Sequence, residues 1–358
     1  MSGTVVDFAV FGSTPLARLL AGLLADMHGR QVVHIGDSPS IYRLTRSIDL
    51  SVAPITRPES WALLGRSVDE TLKLIARLAG RNAWGHADPV FFADDPRAEE
   101  ALSHMRHMAQ GFGIATEPTP PSLLGGNRSG ICLRDAVRLN RAVLEPGIET
   151  WLKRAGVLHL KPQTVTTEPG GSAELVAGGS VFHARQAILA DDDAIIAHLP
   201  RRQWPALLRQ QQAASILAFS APKLVAPIML NIQSGLTLIQ QENGLAAIGL
   251  GEMAQVSSQT RALLDQNRPV EQTGQTNFAV LTTSDGAPAM GRVAGTGVDI
   301  VAAMGMIGAF LAPALARWLC GESDGPDEAA WFGARLVSRE AKPALVGDFV
   351  PIAAGVSA

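Results

Sequence analysis

Cysteine, tyrosine and net charge are all scarce in this chain of 358 residues, and each scarcity excludes something. Two cysteines, Cys132 and Cys320, are too few for a disulfide framework or a zinc cluster. They suit a reducing compartment. Charged residues make up 18% of the chain and leave a net charge of -3, so nothing draws it generally to nucleic acid or to an acidic membrane surface. The apolar stretch at residues 298–319 is broken by Asp299, two glycines and a proline, and reads as a buried strand followed by a buried helix, not a membrane span. The opening MSGTVVDFAVFG carries Asp7 inside its apolar run and lacks a basic leader, so it reads as a first strand and not a signal peptide. The expectation is a soluble, cytoplasmic protein.

What the chain does have is core material, with 47% hydrophobic residues, and a length that suits a two-part architecture. An apolar run at residues 5–11 ends at Gly12. Residues 15–27 follow with helical periodicity, placing Leu16, Leu19, Leu20, Leu23 and Leu24 on one face. His28-Gly29 stops the helix and residues 31–35 form a second β-run, completing a βαβ unit with strands covered on both faces. Further on, the pattern predicts helices over 59–78, 96–111 and 135–155, the last kinked at Pro146. Strands are predicted at 89–93, 158–161, 163–168, 173–177, 180–184 and 186–190, and residues 115–130 read as a loop crossing between domains. Short β-runs and turns alternate over 213–280. A strand at 299–303, a glycine turn and a helix to Leu319 close the pattern.

Two glycine turns carry the chemistry. The first reads Gly12-Ser13-Thr14-Pro15-Leu16-Ala17. A dinucleotide site of the form G-x-G-x-x-G uses its glycines for a tight turn, for close approach of the pyrophosphate and for helix-on-strand packing. Here the second position is Thr14 and the third is Ala17. The helix start still offers N–H groups and a positive dipole end to an anion. The same turn serves equally well as a purely structural βαβ connection. At the end of the second β-run, where an acidic residue accepts ribose hydroxyls, the chain has Gly36, with Asp37 one residue late as the candidate. His34 reads as a packed histidine. Arg43 and Arg46 are candidates for phosphate or ribose contact, with solvated or paired arginines as the alternative. His104 and His107 share a helix face, but no third metal ligand accompanies them, and no metal site is predicted.

The second turn is more specific. Thr283-Ser284-Asp285-Gly286-Ala287-Pro288-Ala289-Met290-Gly291 precedes a strand, then Met304-Gly305-Met306-Ile307-Gly308 leads into Ala312-Pro313-Ala314-Leu315-Ala316. This resembles the closing signature of the D-amino-acid oxidase and glycine oxidase family of FAD-dependent oxidoreductases, over roughly residues 5–320. The resemblance implies an α/β fold, with a Rossmann-type FAD-binding domain (1–80, 125–200 and 281–325) and an inserted antiparallel-sheet substrate or interface domain (81–124 and 201–280), then a C-terminal extension (326–358). It implies FAD with its pyrophosphate over Gly12, Ser13, Thr14 and Pro15, and its ring by Gly305, Met306, Ile307 and Gly308. There a helix start would stabilise the charge of a reduced flavin.

The sequence departs from that family at several points. Thr14 replaces a glycine. The run at 186–190, which in the family leads into a small-residue A-x-G turn at the cofactor, leads here into Asp191-Asp192-Asp193. Buried beside a pyrophosphate, these carboxylates would repel it by several kcal/mol, on the scale of 332/(ε·r) with ε about 20. The alternative is that they face solvent and cap a helix beginning near Ala194. Residues 278–281, Phe-Ala-Val-Leu, supply no arginine to clamp a substrate carboxylate, and Tyr42 is the single tyrosine. The expected activity is FAD-dependent oxidation of an amine, with a large amine or a residue of a partner protein as substrate. The other expectation is a degenerate, FAD-free subunit acting through a partner protein in a hetero- or homo-oligomer. No catalytic residue is indicated.

Overall fold

Strand β1 (Thr4–Phe11), helix α1 (Pro15–Asp26) and strand β2 (Val32–Ile35) begin the chain in a computed structural model that describes residues 3–37, 43–219, 223–264 and 271–342. The two strands are parallel, with Ala9 opposite Val33 and Phe11 opposite Ile35. Alternate residues serve two separate cores: Val10 and Val32 join the cluster that holds α1, while Val6, Ala9, Phe11 and Val33 join a second one. Burial on both faces is what makes these strands nearly all apolar.

The first sheet runs Ala289–Arg292, Asp299–Ala302, Ser180–Leu189, β1, β2, Leu158–His159. Along this path the first pair is antiparallel and the rest are parallel, while Ala173–Ala177 and Thr164–Thr167 extend the sheet from Ser180–Leu189 in antiparallel fashion. The chain's beginning and its glycine-rich return near residue 300 therefore meet in one sheet, with Ser180–Leu189 between them. A second sheet of eight strands, from Glu271–Thr283 to Thr116–Thr119, is antiparallel apart from the pairing of Val90–Ala93 with Ile228–Asn231. The mixed α/β architecture, one largely parallel sheet with a mostly antiparallel partner, is the one expected from the sequence.

Helix α1 buries Leu16, Leu19, Leu20, Leu23 and Leu24, the leucine face visible in the sequence. Against it lies the helix Arg141–Arg154, whose Trp151 packs over Gly22 and donates through Nε1 to Asp26 at 2.8 Å. Helix α2 (Pro58–Ala79) covers the same core and donates from Thr71 to the Phe310 carbonyl.

Five segments differ from the periodicity reading, one of them the helix Met253–Leu263 inside the span read as β-runs and turns. Residues 115–130 contain a strand, Thr116–Thr119, a short helix, Pro121–Leu124, and the start of a strand, Ser129–Leu133. Residues 136–139 are a strand paired with Trp84–Ala87, and the helix starts only at Arg141. The cause is the turn at Asp135, which adopts φ +58°, a conformation aspartate tolerates, and reverses the chain. Residues 180–189 are one continuous strand. Finally, Gly305–Leu311 is a 3-10 turn, with the α-helix Ala312–Cys320 beginning after it. Among the described residues no helix is long and apolar enough to cross a membrane.

Candidate functional site

A cavity of about 710 Å³ opens where the two sheets and the glycine turns converge. That is a size suited to a small-molecule ligand. Ser13 and Thr14 form one part of its wall and Gly305, Met306 and Gly308 another, with Arg43 and Arg46 between elements. The wall from the second sheet is mostly apolar, including Leu230, Ile248 and Phe278, with Thr237 and Thr282 as its hydroxyls. Seven of the eleven residues singled out in the sequence thus border one space. The other four do not line it. Gly12 forms the turn at φ +146°, and Pro15 opens α1. Ile307 is fully buried in the α1 core. Asp37 is exposed on the far side of β2, bonded to Lys161 at 2.8 Å and His159 at 3.2 Å. These bonds hold its carboxyl below the ordinary carboxylate range, the Lys161 bond first.

The phosphate end of the site is closed by the protein itself. The Asp191 carboxylate accepts from the Ser13 amide at 2.6 Å and the Thr14 amide at 3.2 Å through one oxygen. Through the other it accepts from Ala194 at 2.9 Å, capping the helix Asp192–His198. The cap is the role expected of this run, but Asp191 does not face solvent: it is buried and raised in pKa by that burial. The neighbouring strand sets its position, since Leu189 is in register with Phe11 and the Ala190 amide donates to the Phe11 carbonyl. The next residue is thereby delivered to the β1–α1 turn. Its two neighbours behave differently. Asp192 sits in the cavity wall, accepts from the Leu281 amide at 2.9 Å, and is pushed up by burial to about 7. Asp193 is exposed and lies 3.5 Å from both Arg43 and Arg46.

The ribose position is closed too. Gly36 has φ +146°, and a Cβ there would stand 2.2 Å from the Gly12 carbonyl oxygen, so no acidic side chain fits at the end of β2. That carbonyl is engaged by buried His34, whose Nε2 lies 2.9 Å away and donates to it. Burial lowers the His34 pKa to about 4, so its ring is neutral at pH 7.

The opposite end is built for close approach. Ala303 adopts φ +55° and Gly305 φ +55°, so the backbone turns sharply at the cavity wall. Strained backbone of this kind collects at ligand sites. Gly308 has a second reason for lacking a side chain: a Cβ would lie 3.0 Å from that of Met304 and 3.2 Å from Leu16, in the packing against α1. Asp285, the acidic residue of the second signature, faces away from the cavity and pairs with Arg339.

Of three further contributors to the site, Arg141 was not singled out in the sequence, whereas Asp191 and Arg46 were named there without the roles they hold in the structure. Asp191 was visible only as a departure, although strand register places it beside the turn. Arg141, paired with Asp49, lines the cavity from the helix Arg141–Arg154. Arg46 stacks over the Phe278 ring at 5.1 Å, bringing a cation to a stretch that has none of its own. His104 and His107 do not act together: His104 bonds the Thr56 carbonyl, while His107 lies by Arg106. Among the described residues, ligand atoms of His28, Cys320 and Glu322 lie within 4.8 Å of one another, away from the cavity and next to Arg30.

FAD fits these residues at one end only. The ring end, from Ala303 to Gly308, is open and shaped by backbone. The diphosphate end has its amide donors already bonded to a carboxylate, and the residues that would hold the ribose are packed shut or turned away.

No protein-family model matches the chain, and no curated protein matches it in sequence. Solved structures do match. L-proline dehydrogenase from P. horikoshii superposes with a TM-score of 0.70 at 15% identity, covering 92% of this chain and 97% of that one. Glycine oxidase from Geobacillus kaustophilus gives 0.68 at 13%, covering 92% and 98%. Iminodiacetate oxidase from Chelativorans sp. BNC1 gives 0.65 at 16%, covering 89% and 97%. At these identities the likeness establishes the fold. The resemblance carried by the two ends of the sequence holds at that level, in a divergent chain with the fold of the FAD-dependent amino-acid oxidases.

Proposed function

We propose that this protein is an oxidoreductase of the amine-oxidising type that takes FAD as a loosely held, exchangeable cofactor. The observation that carries the reading is the single cavity joining Ser13 and Thr14 to Gly305, Met306 and Gly308, turns nearly 300 residues apart. Bound FAD supplies the redox chemistry. The chain's own residues supply the apolar wall, the close backbone approach at residues 303–308, and the charge pattern of the cavity. Asp49, Asp191, Asp192, Asp193, Glu145 and Glu149 line it against Arg43, Arg46 and Arg141. Asp49, Asp193, Glu145 and Glu149 are each paired with a cation, which leaves Asp192 as the cavity carboxyl that a cationic amine would meet. Arg43 and Arg46 already face Asp193, so a small amino acid gripped by its carboxylate is disfavoured as substrate. A large amine, or an amine-bearing residue of a partner protein, suits the cavity better.

A second reading, a subunit without FAD that works through a partner protein, is favoured by one observation: the Asp191 carboxylate bonded to the turn. The visible spectrum of freshly purified protein, followed by dialysis and calorimetric titration with FAD, separates the two. The first reading expects a flavin band that dialysis removes and FAD restores. A colourless protein that takes up no FAD leaves the second reading in its place.

A further inference from the structure

The β1–α1 turn is complete without a ligand. Its two free amides, Ser13 and Thr14, meet one Asp191 oxygen, and the other oxygen caps the helix Asp192–His198. One carboxylate therefore satisfies the starts of two helices that converge on the same point. Its fit is tight: a Cβ at Gly12 would lie 2.8 Å from the Asp191 carboxylate oxygen. Sheet register brings the residue there, and three backbone amides hold its carboxylate in place. A pyrophosphate needs the same amides, and it carries the same sign of charge. The cavity borders Ser13 and Thr14 but not Gly36 or Asp37, so its open volume belongs to the ring end.

We propose that Asp191 is an internal stand-in for the pyrophosphate, and that it, more than Thr14, determines whether the site accepts a dinucleotide or only a flavin ring without its diphosphate. The inference rests on the reading of the cavity as a flavin site. In the native chain FAD gains nothing from its ADP half, because each phosphate contact must first displace Asp191.

The test compares riboflavin, FAD and ADP as probes on the wild-type chain and on Asp191→Ser and Asp191→Asn, by quenching of flavin fluorescence and by calorimetry. Serine keeps a cap for the helix Asp192–His198 while freeing the turn, and asparagine keeps the size while removing the charge. Near-ultraviolet circular dichroism establishes that each variant is folded. The expected result is that wild type binds riboflavin and FAD within about threefold of each other and ignores ADP. Asp191→Ser then binds FAD at least tenfold tighter with riboflavin unchanged, and gains ADP binding. Asp191→Asn shows the same trend, and Thr14→Gly alone changes FAD affinity less than threefold. FAD already tenfold tighter than riboflavin in wild type, and unaltered in both Asp191 variants, overturns the role of Asp191 while leaving the flavin site standing. If none of these proteins binds either flavin, the flavin reading fails and the role of Asp191 fails with it.

Discussion

Asp285 and Arg339 form a two-armed ion pair, with Nε donating to Oδ2 at 2.9 Å and a terminal nitrogen donating to Oδ1 at 2.8 Å, and both side chains are largely buried. The acidic residue of the second signature thus anchors a segment near residue 340, and its turn is closed by Thr283 donating to the Ala287 carbonyl at 2.7 Å. Burial works against the Asp285 charge, yet the Arg339 bonds hold its carboxyl below the ordinary range. Arg339 also donates to the Ala287 carbonyl, so it closes the turn from outside.

Removing one partner of such a pair leaves the other charge buried and uncompensated, a loss of about 3–5 kcal/mol. Arg339→Ala is therefore expected to lower the urea midpoint sharply. Arg339→Lys, which retains the charge but only part of the geometry, should recover some of it. Equal midpoints for wild type and Arg339→Ala would show that the pair adds nothing.

Where sequence and structure agree, one local signal suffices. The leucines of α1 recur at helical spacing and Gly12 and Gly29 bracket the helix, so the βαβ start was legible. Where they part, the deciding contact lies far along the chain. Residues 136–139, Ala-Val-Arg-Leu, suit a helix as well as a strand, and pairing with Trp84–Ala87 decides. The role of Asp191 depends on the register of Leu189 with Phe11, 178 residues away. That Gly36 excludes an acidic side chain follows from the proximity of the Gly12 carbonyl, which no spacing rule contains. The glycine signatures predicted which segments would meet at the cavity. They did not predict that the protein would supply its own anion.

His34 sets an acid limit on stability. Its pKa in the fold is about 4, lowered first by burial, against 6.5 for a free histidine. The unfolded chain binds the proton first, so the contribution of neutral His34 is fully present above about pH 6.5 and lost as pH falls toward 4. The shift corresponds to about 3 kcal/mol. His34→Gln can still donate to the Gly12 carbonyl but does not titrate. Chemical denaturation at pH 7 and pH 4.5 should show that the variant loses less stability on acidification than wild type. Parallel losses would mean that His34 is not the group responsible.

Gly22 marks the closest approach of two helices. A Cβ there would stand 2.2 Å from Cζ3 and 2.4 Å from Cη2 of Trp151, a buried ring whose Nε1 is tied to Asp26. In an exposed helix Gly→Ala would stabilise by about 1 kcal/mol. Here overpacking should outweigh propensity, and Gly22→Ala is expected to destabilise by about 1–3 kcal/mol. Trp151→Leu makes room, so combining the two should leave less than the sum of their separate losses, as measured in a double-mutant thermal series. Strict additivity would place the strain elsewhere.

Asp192 gives the opposite pH dependence from His34. Its carboxyl is pushed up to about 7, chiefly by burial, with Asp191 and Asp193 adding to the rise and the Leu281 amide opposing it. A raised folded-state pKa means that the unfolded chain releases its proton first. The stability held by protonated Asp192 is complete below about pH 4 and is lost as pH rises through 7. Asp192→Asn keeps an oxygen to accept from Leu281 and carries no charge at any pH. The variant should match wild type near pH 4, gain on it between 4 and 7, and hold a constant advantage of about 2–4 kcal/mol at pH 8. Urea titrations at pH 4, 5.5 and 8 measure this directly. Because Asp192 lines the cavity, the same titration reports its occupancy: a cationic amine beside the carboxylate should lower its pKa and shrink the advantage of asparagine at pH 8. An advantage independent of pH would mean that Asp192 does not titrate in this window, and that the cavity wall holds its charge without cost.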